Sequence, residues 1–340
     1  MRKTGIAILA AISLQGPLHA QQRPHYTQYV LNQYILNPAL SGIENYTDVR
    51  LSHRRQWVGI QDAPVTTYLT LQTPIGKKDL RTTSTSFSGP SVNPRGRQYW
   101  VDYLAAEPHH GVGLQILNDR AGPLSRFSAM ATYAYHIGLS ARTNLAAGFG
   151  AGIERVALDG SRLVFGTTTI DPALASSAVI NRFKPDMSVG LYLYSASFFA
   201  GVSVQQFVPE NISFANNTIA PVKGRLVPHV FATAGFRFLL GEDFNLVPSV
   251  MVKSVSTLPP SMEANLKLQY RDLLWVGGSY RHEDGFAGLL GVNISSSLNI
   301  GYAFDYTTSP LNAFTRGTHE VLVGFLIGSR FEEKCPRNVW

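Results

Sequence analysis

From Tyr46 onward, apolar and polar residues alternate in long runs, the pattern of strands whose successive side chains point to opposite faces. In one run Phe127, Ala129, Ala131, Tyr133, Tyr135, Ile137 and Leu139 share a face, with Ser128, Thr132, Ala134, His136 and Gly138 on the other. Leu145, Ala147, Phe149, Ala151 and Ile153 alternate with Asn144, Gly148, Gly150, Gly152 and Glu154, and Leu298, Ile300, Tyr302, Phe304 and Tyr306 alternate with Asn299, Gly301, Ala303 and Asp305. Such runs exceed the usual five or six residues of a soluble strand. They suit a strand that crosses a bilayer at a tilt.

About 14 segments of this kind can be marked, at 46–58, 63–75, 110–119, 125–139, 142–157, 185–195, 196–207, 227–240, 243–256, 261–271, 272–282, 285–295, 297–308 and 317–331. The fold class expected is all-β, a transmembrane antiparallel β-barrel. A barrel with both ends in the periplasm alternates tight periplasmic turns with longer outward loops. Ser140-Ala141, Gly241-Glu242-Asp243, Arg271-Asp272 and Ser295-Ser296-Ser297 read as the tight set, and 158–184, 208–226 and 309–316 as the long one. Residues 76–109 break the rule: either they form an extended periplasmic loop, or they hide a strand pair around Gln98 to Leu104. Soluble sandwiches also alternate. The many aromatics on one face, opposite Asn, Glu, Asp, Arg and Lys, weigh against that alternative.

Composition agrees: 45% of the 340 residues are hydrophobic and only 15% charged, with 30 Gly, 15 Tyr and 18 Phe. Arg2-Lys3, the apolar run Ile6 to Leu14 and Leu18-His19-Ala20 have the order of a secretion signal over residues 1–20. That run is too short to span a membrane as a helix. Without Arg2 and Lys3, 27 Lys+Arg face 22 Asp+Glu, a charge of about +5. The basic residues, among them Arg50, Arg54, Arg155, Arg237 and Lys267, are scattered rather than clustered as in nucleic-acid binders, so no nucleic acid is expected and a solvated or lumen-lining role is. The lone Cys335 excludes an intrachain disulfide and any multi-cysteine metal site.

Enzyme signatures are missing: the chain has no Gly-x-Ser-x-Gly elbow, no His-Glu-x-x-His and no phosphate-binding glycine loop. The glycines of "GFGAG" (148–152) share a strand face and read as space or bending. His109-His110 would point to opposite faces, which argues against a shared metal. The expectation is a non-enzyme with no cofactor and no catalytic or metal residues.

Two stretches fall outside the strand pattern. "QYVLNQYILNPALSG" (28–42) fails as a membrane strand, because Asn32, Gln33 and Asn37 interrupt both faces and Pro38 lacks a backbone donor. It reads as a pre-barrel segment, partly a short helix, packing Tyr and Leu in or under the lumen before Asn37-Pro38 and Ser41-Gly42 turn the chain into the first strand. "RRQWVGIQDAPVT" (54–66) reads as a hairpin shaped by Gly59 and Pro64, with Trp57 as an interface anchor; a partner-docking role is the second reading. The domains expected are 1–20 signal peptide, 21–45 N-terminal plug-like segment, 46–331 barrel and 332–340 periplasmic tail.

With these two stretches, "GVGLQILNDRAGP", "PDMSVGLYLYSASFFAGVSVQQFVP", "LVPSVMVKS", "GYAFDYTTS", "HEVLVGF" and "KCPR" resemble the PorP/SprF family of the type IX secretion system of Bacteroidetes, from Tyr26 to Arg337. The landmarks include Asn37-Pro38, Arg54, Gln56-Trp57-Val58-Gly59, Ala63-Pro64, Asn118-Asp119, Gly122-Pro123 and His319-Glu320; the long 76–109 segment departs from most members. The resemblance implies an integral outer-membrane barrel serving protein export and gliding motility rather than catalysis. Its implied partners are periplasmic and lipoprotein components of that system, the C-terminal export domain of a large surface adhesin, and outer-membrane lipid. Tyr29, Tyr34, Asn37, Pro38, Gly42, Arg54, Gln56, Trp57, Gly59, Pro64, Asp119, Gly122, Pro123, Pro336 and Arg337 are the candidate partner-binding or structural residues. A second class is a barrel for small apolar molecules, since fourteen strands and an N-terminal Asn-Pro-Ala are similar to the outer-membrane long-chain fatty acid transporters.

Overall fold

A computed structural model of the chain describes residues 24–77, 93, 96–162, 179–208, 211–212, 224–225, 227–255, 258–271, 273–295 and 297–328. The expected signal peptide, the tail with Cys335, Pro336 and Arg337, and parts of the expected loops 158–184 and 208–226 lie outside the described residues.

Fourteen strands form a closed antiparallel barrel. They are β1 (Thr47–Arg55), β2 (Val65–Ile75), β3 (His109–Ala121), β4 (Leu124–Ser140), β5 (Thr143–Asp159), β6 (Val179–Tyr194), β7 (Phe198–Gln205), β8 (His229–Phe236, continued as Phe238–Leu240), β9 (Phe244–Val255), β10 (Leu258–Tyr270), β11 (Leu274–Arg281), β12 (Gly285–Asn293), β13 (Leu298–Thr307) and β14 (Thr318–Ile327). Each strand pairs with its neighbours in sequence, and β14 closes the ring on β1, from Thr47 opposite Ile327 to Arg55 opposite His319. Closure leaves no unpaired edge, the condition for placing strands in hydrocarbon where no water can satisfy backbone groups. A two-residue ladder, Asn211–Ile212 with Gly224–Arg225, stands apart between β7 and β8.

The apolar face of the strands is outside. On β4, Phe127, Tyr133 and Tyr135 are 38%, 46% and 41% exposed, whereas Ala134 and His136 on the opposite face are fully buried. The same inversion holds on β10, where Met262 and Leu266 are exposed and Glu263, Asn265 and Lys267 are buried. A soluble core would bury the first set, and lipid requires its exposure. Of the basic residues noted in the sequence, Arg50, Arg54, Arg237 and Lys267 are buried inside, but Arg155 faces outward and bonds Asn181.

Each marked segment overlaps one strand, with bounds that differ by a few residues. The clearest shift is at β6, which starts at Val179: residues 179–184, expected in the loop 158–184, stay in the ladder, and Lys184 is buried. The loop alternation is weaker than expected, because the outward end also has tight links, at Gly122-Pro123 and at His282–Asp284. Residues 97–102 of the 76–109 segment form a short helix, α1 (Arg97–Asp102), so the alternative of a strand pair there is not adopted. This part lies along the periplasmic rim: Asn93 Nδ2 donates to Glu242 O at 2.9 Å, Ala105 N to Ala141 O at 2.9 Å and Ala106 N to Asn144 Oδ1 at 2.9 Å.

Inside the barrel, residues 24–46 pass through the lumen and are mostly buried. Inward-facing glycines make the approach possible. A Cβ on Gly148 would stand 2.4 Å from the backbone N and Cα of Ala39, and one on Gly111 would stand 1.8 Å from Ser41 O. Gly148→Val should therefore unseat the segment at a cost of about 1–3 kcal/mol while the strands still pair. Limited proteolysis should show new cleavage within residues 24–46 in a barrel that keeps its heat-modifiable migration on SDS gels.

Candidate functional site: the lumenal segment and its polar cradle

The segment is built from two near-copies of a pentapeptide, Gln28-Tyr29-Val30-Leu31-Asn32 and Gln33-Tyr34-Ile35-Leu36-Asn37, followed by Pro38-Ala39-Leu40-Ser41-Gly42. Each unit opens with one 3-10 turn, at Gln28–Val30, Gln33–Ile35 and Pro38–Leu40. In both copies the fifth residue's N–H returns to the first residue's carbonyl, Asn32 to Gln28 at 3.1 Å and Asn37 to Gln33 at 3.2 Å. The third turn is opened by Asn37, whose Oδ1 accepts from Ala39 N, with Pro38 at the position where a missing N–H costs nothing. The short helical piece expected takes the form of three separate 3-10 turns, broken by Asn32 and Asn37 five residues apart and by Pro38.

The apolar side chains of these units fill two clusters. Tyr26, Tyr29, Leu31, Ile35 and Leu36 pack with Tyr68, Phe231, Met251, Trp275 and Leu322 of the wall. Tyr34, Ala39, Leu40 and Ile43 pack with Tyr192, Tyr194, Phe199 and Val247. The polar groups reach opposite sides of the ring. Tyr29 OH accepts from Asn265 Nδ2 on β10, and Tyr34 OH bonds Thr132 on β4. Asn32 donates to Thr70 on β2, and Asn37 Nδ2 to the carbonyls of Leu191 and Val202 on β6 and β7. Arg50 donates to Leu31 O, Gln115 to Tyr34 O, and Gln205 to the carbonyls of Ile35 and Leu36. A buried segment outside regular structure must satisfy its carbonyls this way.

At the outward end, charge holds the segment. Arg54 of β1 pairs with Asp305 of β13 at 2.7 Å and Glu320 of β14 at 3.1 Å, all three nearly solvent-free. Thr27 is bound into the same cluster: its N–H donates to Glu320 at 2.8 Å, its hydroxyl donates to Asp305 at 2.7 Å and accepts from Arg54 at 2.8 Å. Alongside, Arg281 pairs with Glu263 at 3.0 Å, and His25 Nε2 lies 3.3 Å from the same carboxylate. At the periplasmic end the imidazoles of His109 and His136 stack with centroids 4.5 Å apart. His136 Nε2 bonds Ser41 O at 2.7 Å, and Gly42 N donates to Gln72 Oε1 at 3.0 Å. The chain thus enters at the outward end, runs down the lumen and turns into β1 at the periplasmic end.

The candidate residues separate into two groups. Tyr29, Tyr34, Asn37, Pro38, Gly42 and Arg54 meet in the lumen. Gln56, Trp57, Gly59 and Pro64 lie in the β1–β2 loop, where Gln56 N donates to Pro64 O and Trp57 (φ 50°) donates its N–H to Thr318 Oγ1. That loop is tied to the β13–β14 loop through Val58 and Gly317, and to the β3–β4 turn by Gly122 N donating to Asp62 O. Gly122 adopts a positive φ beside Pro123, and Asp119 faces inward and accepts from Thr66. His109 points inward and His110 outward, bonding Tyr133. Among the described residues, no group of three or more His, Cys, Asp and Glu is placed to hold a metal ion. Reading the sequence did not find the role of Asp305, Glu263 or Arg281; the repeated pentapeptide was the available signal that residues 28–37 form a periodic unit.

A closed fourteen-stranded barrel with lipid-facing aromatics and an occupied lumen defines an integral outer-membrane protein. The chain matches the family described as type IX secretion system membrane protein PorP/SprF over residues 18–325, and it belongs to that family. Comparison with curated proteins returns no match. Solved structures similar to it include an outer-membrane protein of Acinetobacter baumannii, Omp33 (10% identity, 84% of this chain and 100% of that one, TM-score 0.45). A Pseudomonas aeruginosa FadL homologue (9%, 90% and 95%, 0.47) and the CymD monoaromatic hydrocarbon channel (11%, 88% and 91%, 0.46) are also similar.

Removing one partner of a buried ion cluster leaves the others uncompensated. Arg54→Met should lower unfolding stability by about 3–5 kcal/mol, more than Glu320→Gln, which leaves a neutral acceptor. Urea titration followed by tryptophan fluorescence measures both variants.

Proposed function

We propose that this protein is a non-catalytic component of the type IX secretion and gliding machinery that docks, or helps to export, a cell-surface adhesin. The observation that carries the reading is the filled lumen: residues 24–46 bond to inward side chains around the ring, so the working surfaces are the two ends of the barrel. In this reading the outward loops, including 158–184 and 208–226, receive the C-terminal export domain of the adhesin. The periplasmic turns, the 76–109 segment and the tail 332–340 contact periplasmic and lipoprotein components. Residues 21–45 act as a plug, and Gln56, Trp57, Gly59, Pro64, Gly122 and Pro123 shape the outward docking rim; Pro336 and Arg337 belong to the periplasmic contact. The second reading, a barrel for small apolar molecules, is supported by Asn37-Pro38-Ala39 seated against Gly148 and Gly190 of the wall.

Deleting the gene should leave one surface protein, or a small set, unexported or shed into the medium while other outer-membrane functions persist. Surface proteomics of the deletion strain checks this. Normal surface proteins, together with a purified barrel that binds fatty acids, would reverse the choice between the two readings. In planar bilayers the intact barrel should be closed, and one lacking residues 24–41 should conduct.

A further inference from the structure

We propose that the outer wall of the barrel carries a phosphate-binding site for the phosphorylated glycolipid of the outer leaflet, built on Arg55 and Arg120. Arg55 of β1 lies directly opposite Val65 of β2, and Val65 directly opposite Arg120 of β3. The three side chains therefore form a row on one face. That face is the exterior, since Arg54 and Thr66 beside them in sequence are buried, while Arg55 and Arg120 are exposed. Two strand spacings put the two arginine Cα atoms about 10 Å apart, a separation that two flexible guanidinium arms close around one phosphate.

The rows beneath fix the depth of this pair. One pleat toward the membrane centre lie His53, Thr67 and Asn118, in register and polar, with His53 Nδ1 and Thr67 Oγ1 2.9 Å apart. One pleat further lie Leu51, Leu69 and Ile116, where the apolar band begins. Each pleat advances about 6.6 Å along a strand, so the arginines stand in the headgroup layer just above the hydrocarbon. Among the described residues, neither guanidinium takes part in an ion pair or a side-chain hydrogen bond. Arg155, also on the exterior, is by contrast held by Asn181.

A cavity of about 320 Å³ opens at this row, lined by Arg55, Gln56, Val58, Asp62, Arg120 and Gly122. Two guanidinium groups against the single carboxylate of Asp62 leave the lining positive, so an anion completes it. A phosphate carried on a lipid gains a second contact that free phosphate lacks, because its acyl chains descend over Leu51, Leu69 and Ile116. Basic side chains at a membrane surface draw anionic headgroups in the same way.

Native mass spectrometry of the full-length barrel in mild detergent tests the site, with diphosphorylated lipid A, dephosphorylated lipid A and inorganic phosphate as probes. The wild type should bind the diphosphorylated form, and R55A/R120A should weaken that binding by about tenfold or more. R55K/R120K should retain part of it, and R155A should bind like the wild type. Dephosphorylated lipid A should bind no better to the wild type than to R55A/R120A, and inorganic phosphate should not displace the lipid. Equal binding by wild type and R55A/R120A would overturn the proposal. So would equal affinity for the dephosphorylated lipid, or displacement by inorganic phosphate, which would mark a free-anion site. Heat-modifiable migration verifies that each variant is folded; if the double variant fails that check, R120Q carries the same comparison.

Discussion

The rest of the structure depends on the closing of the backbone ladder between β1 and β14. Once the ring is closed, every strand has one face in lipid and one in the lumen, and the alternation of residues has to be inside-out relative to a soluble protein. The lumen then receives the polar face: Arg54, Asp305, Glu320, Glu263, Arg281, Lys267 and their neighbours are forced together in a narrow space. A charge buried there is tolerable only when paired. The N-terminal segment completes that pairing, with Thr27 lying between Arg54 and the two acids, and with the strand side chains satisfying its own carbonyls in return.

This reciprocity explains why an unusual sequence suffices for residues 24–46. An α-helix would satisfy its own backbone and present only side chains to the wall. Broken 3-10 turns leave carbonyls free at Leu31, Tyr34, Ile35, Leu36 and Ser41, and each is taken by an inward residue of the barrel. Glycine on the wall is the complement of this arrangement. Where the segment comes closest, at Gly148 and Gly111, there is no room for a side chain on the strand.

Much of the barrel was legible in the sequence, because lipid imposes a strict period of two over long runs. Phe127 to Leu139 could hardly be read otherwise. The start of β6 was not legible: residues 179–184 precede a proline and carry charge, yet Lys184, like Asp186 after it, has the lumen to face. The helix Arg97–Asp102 carries no amphipathic period and is held by contacts to the turns at Ala141 and Glu242, which local sequence does not encode. The candidate site was legible only in part. Tyr29, Tyr34, Asn37 and Arg54 stood out, but Arg54 meets its acids across 251 and 266 residues, and strand register alone brings them together. The apolar character of residues 28–42 indicated burial; the direction of travel through the lumen followed from which end Thr27 and Gly42 bond.

That direction bears on how the protein is assembled. Because the chain descends the lumen before it turns back into β1, the segment cannot be threaded into a finished cylinder without its N-terminal end passing the full length of a packed interior. It has to lie in place while the wall is still open. The last strand in sequence, β14, carries Glu320, whose carboxylate receives Ser52 and Arg54 from the first strand and the N–H of Thr27 from the segment. One side chain therefore fastens the seam and its contents together, so the occupant of the lumen and the joint of the ring share a single anchor.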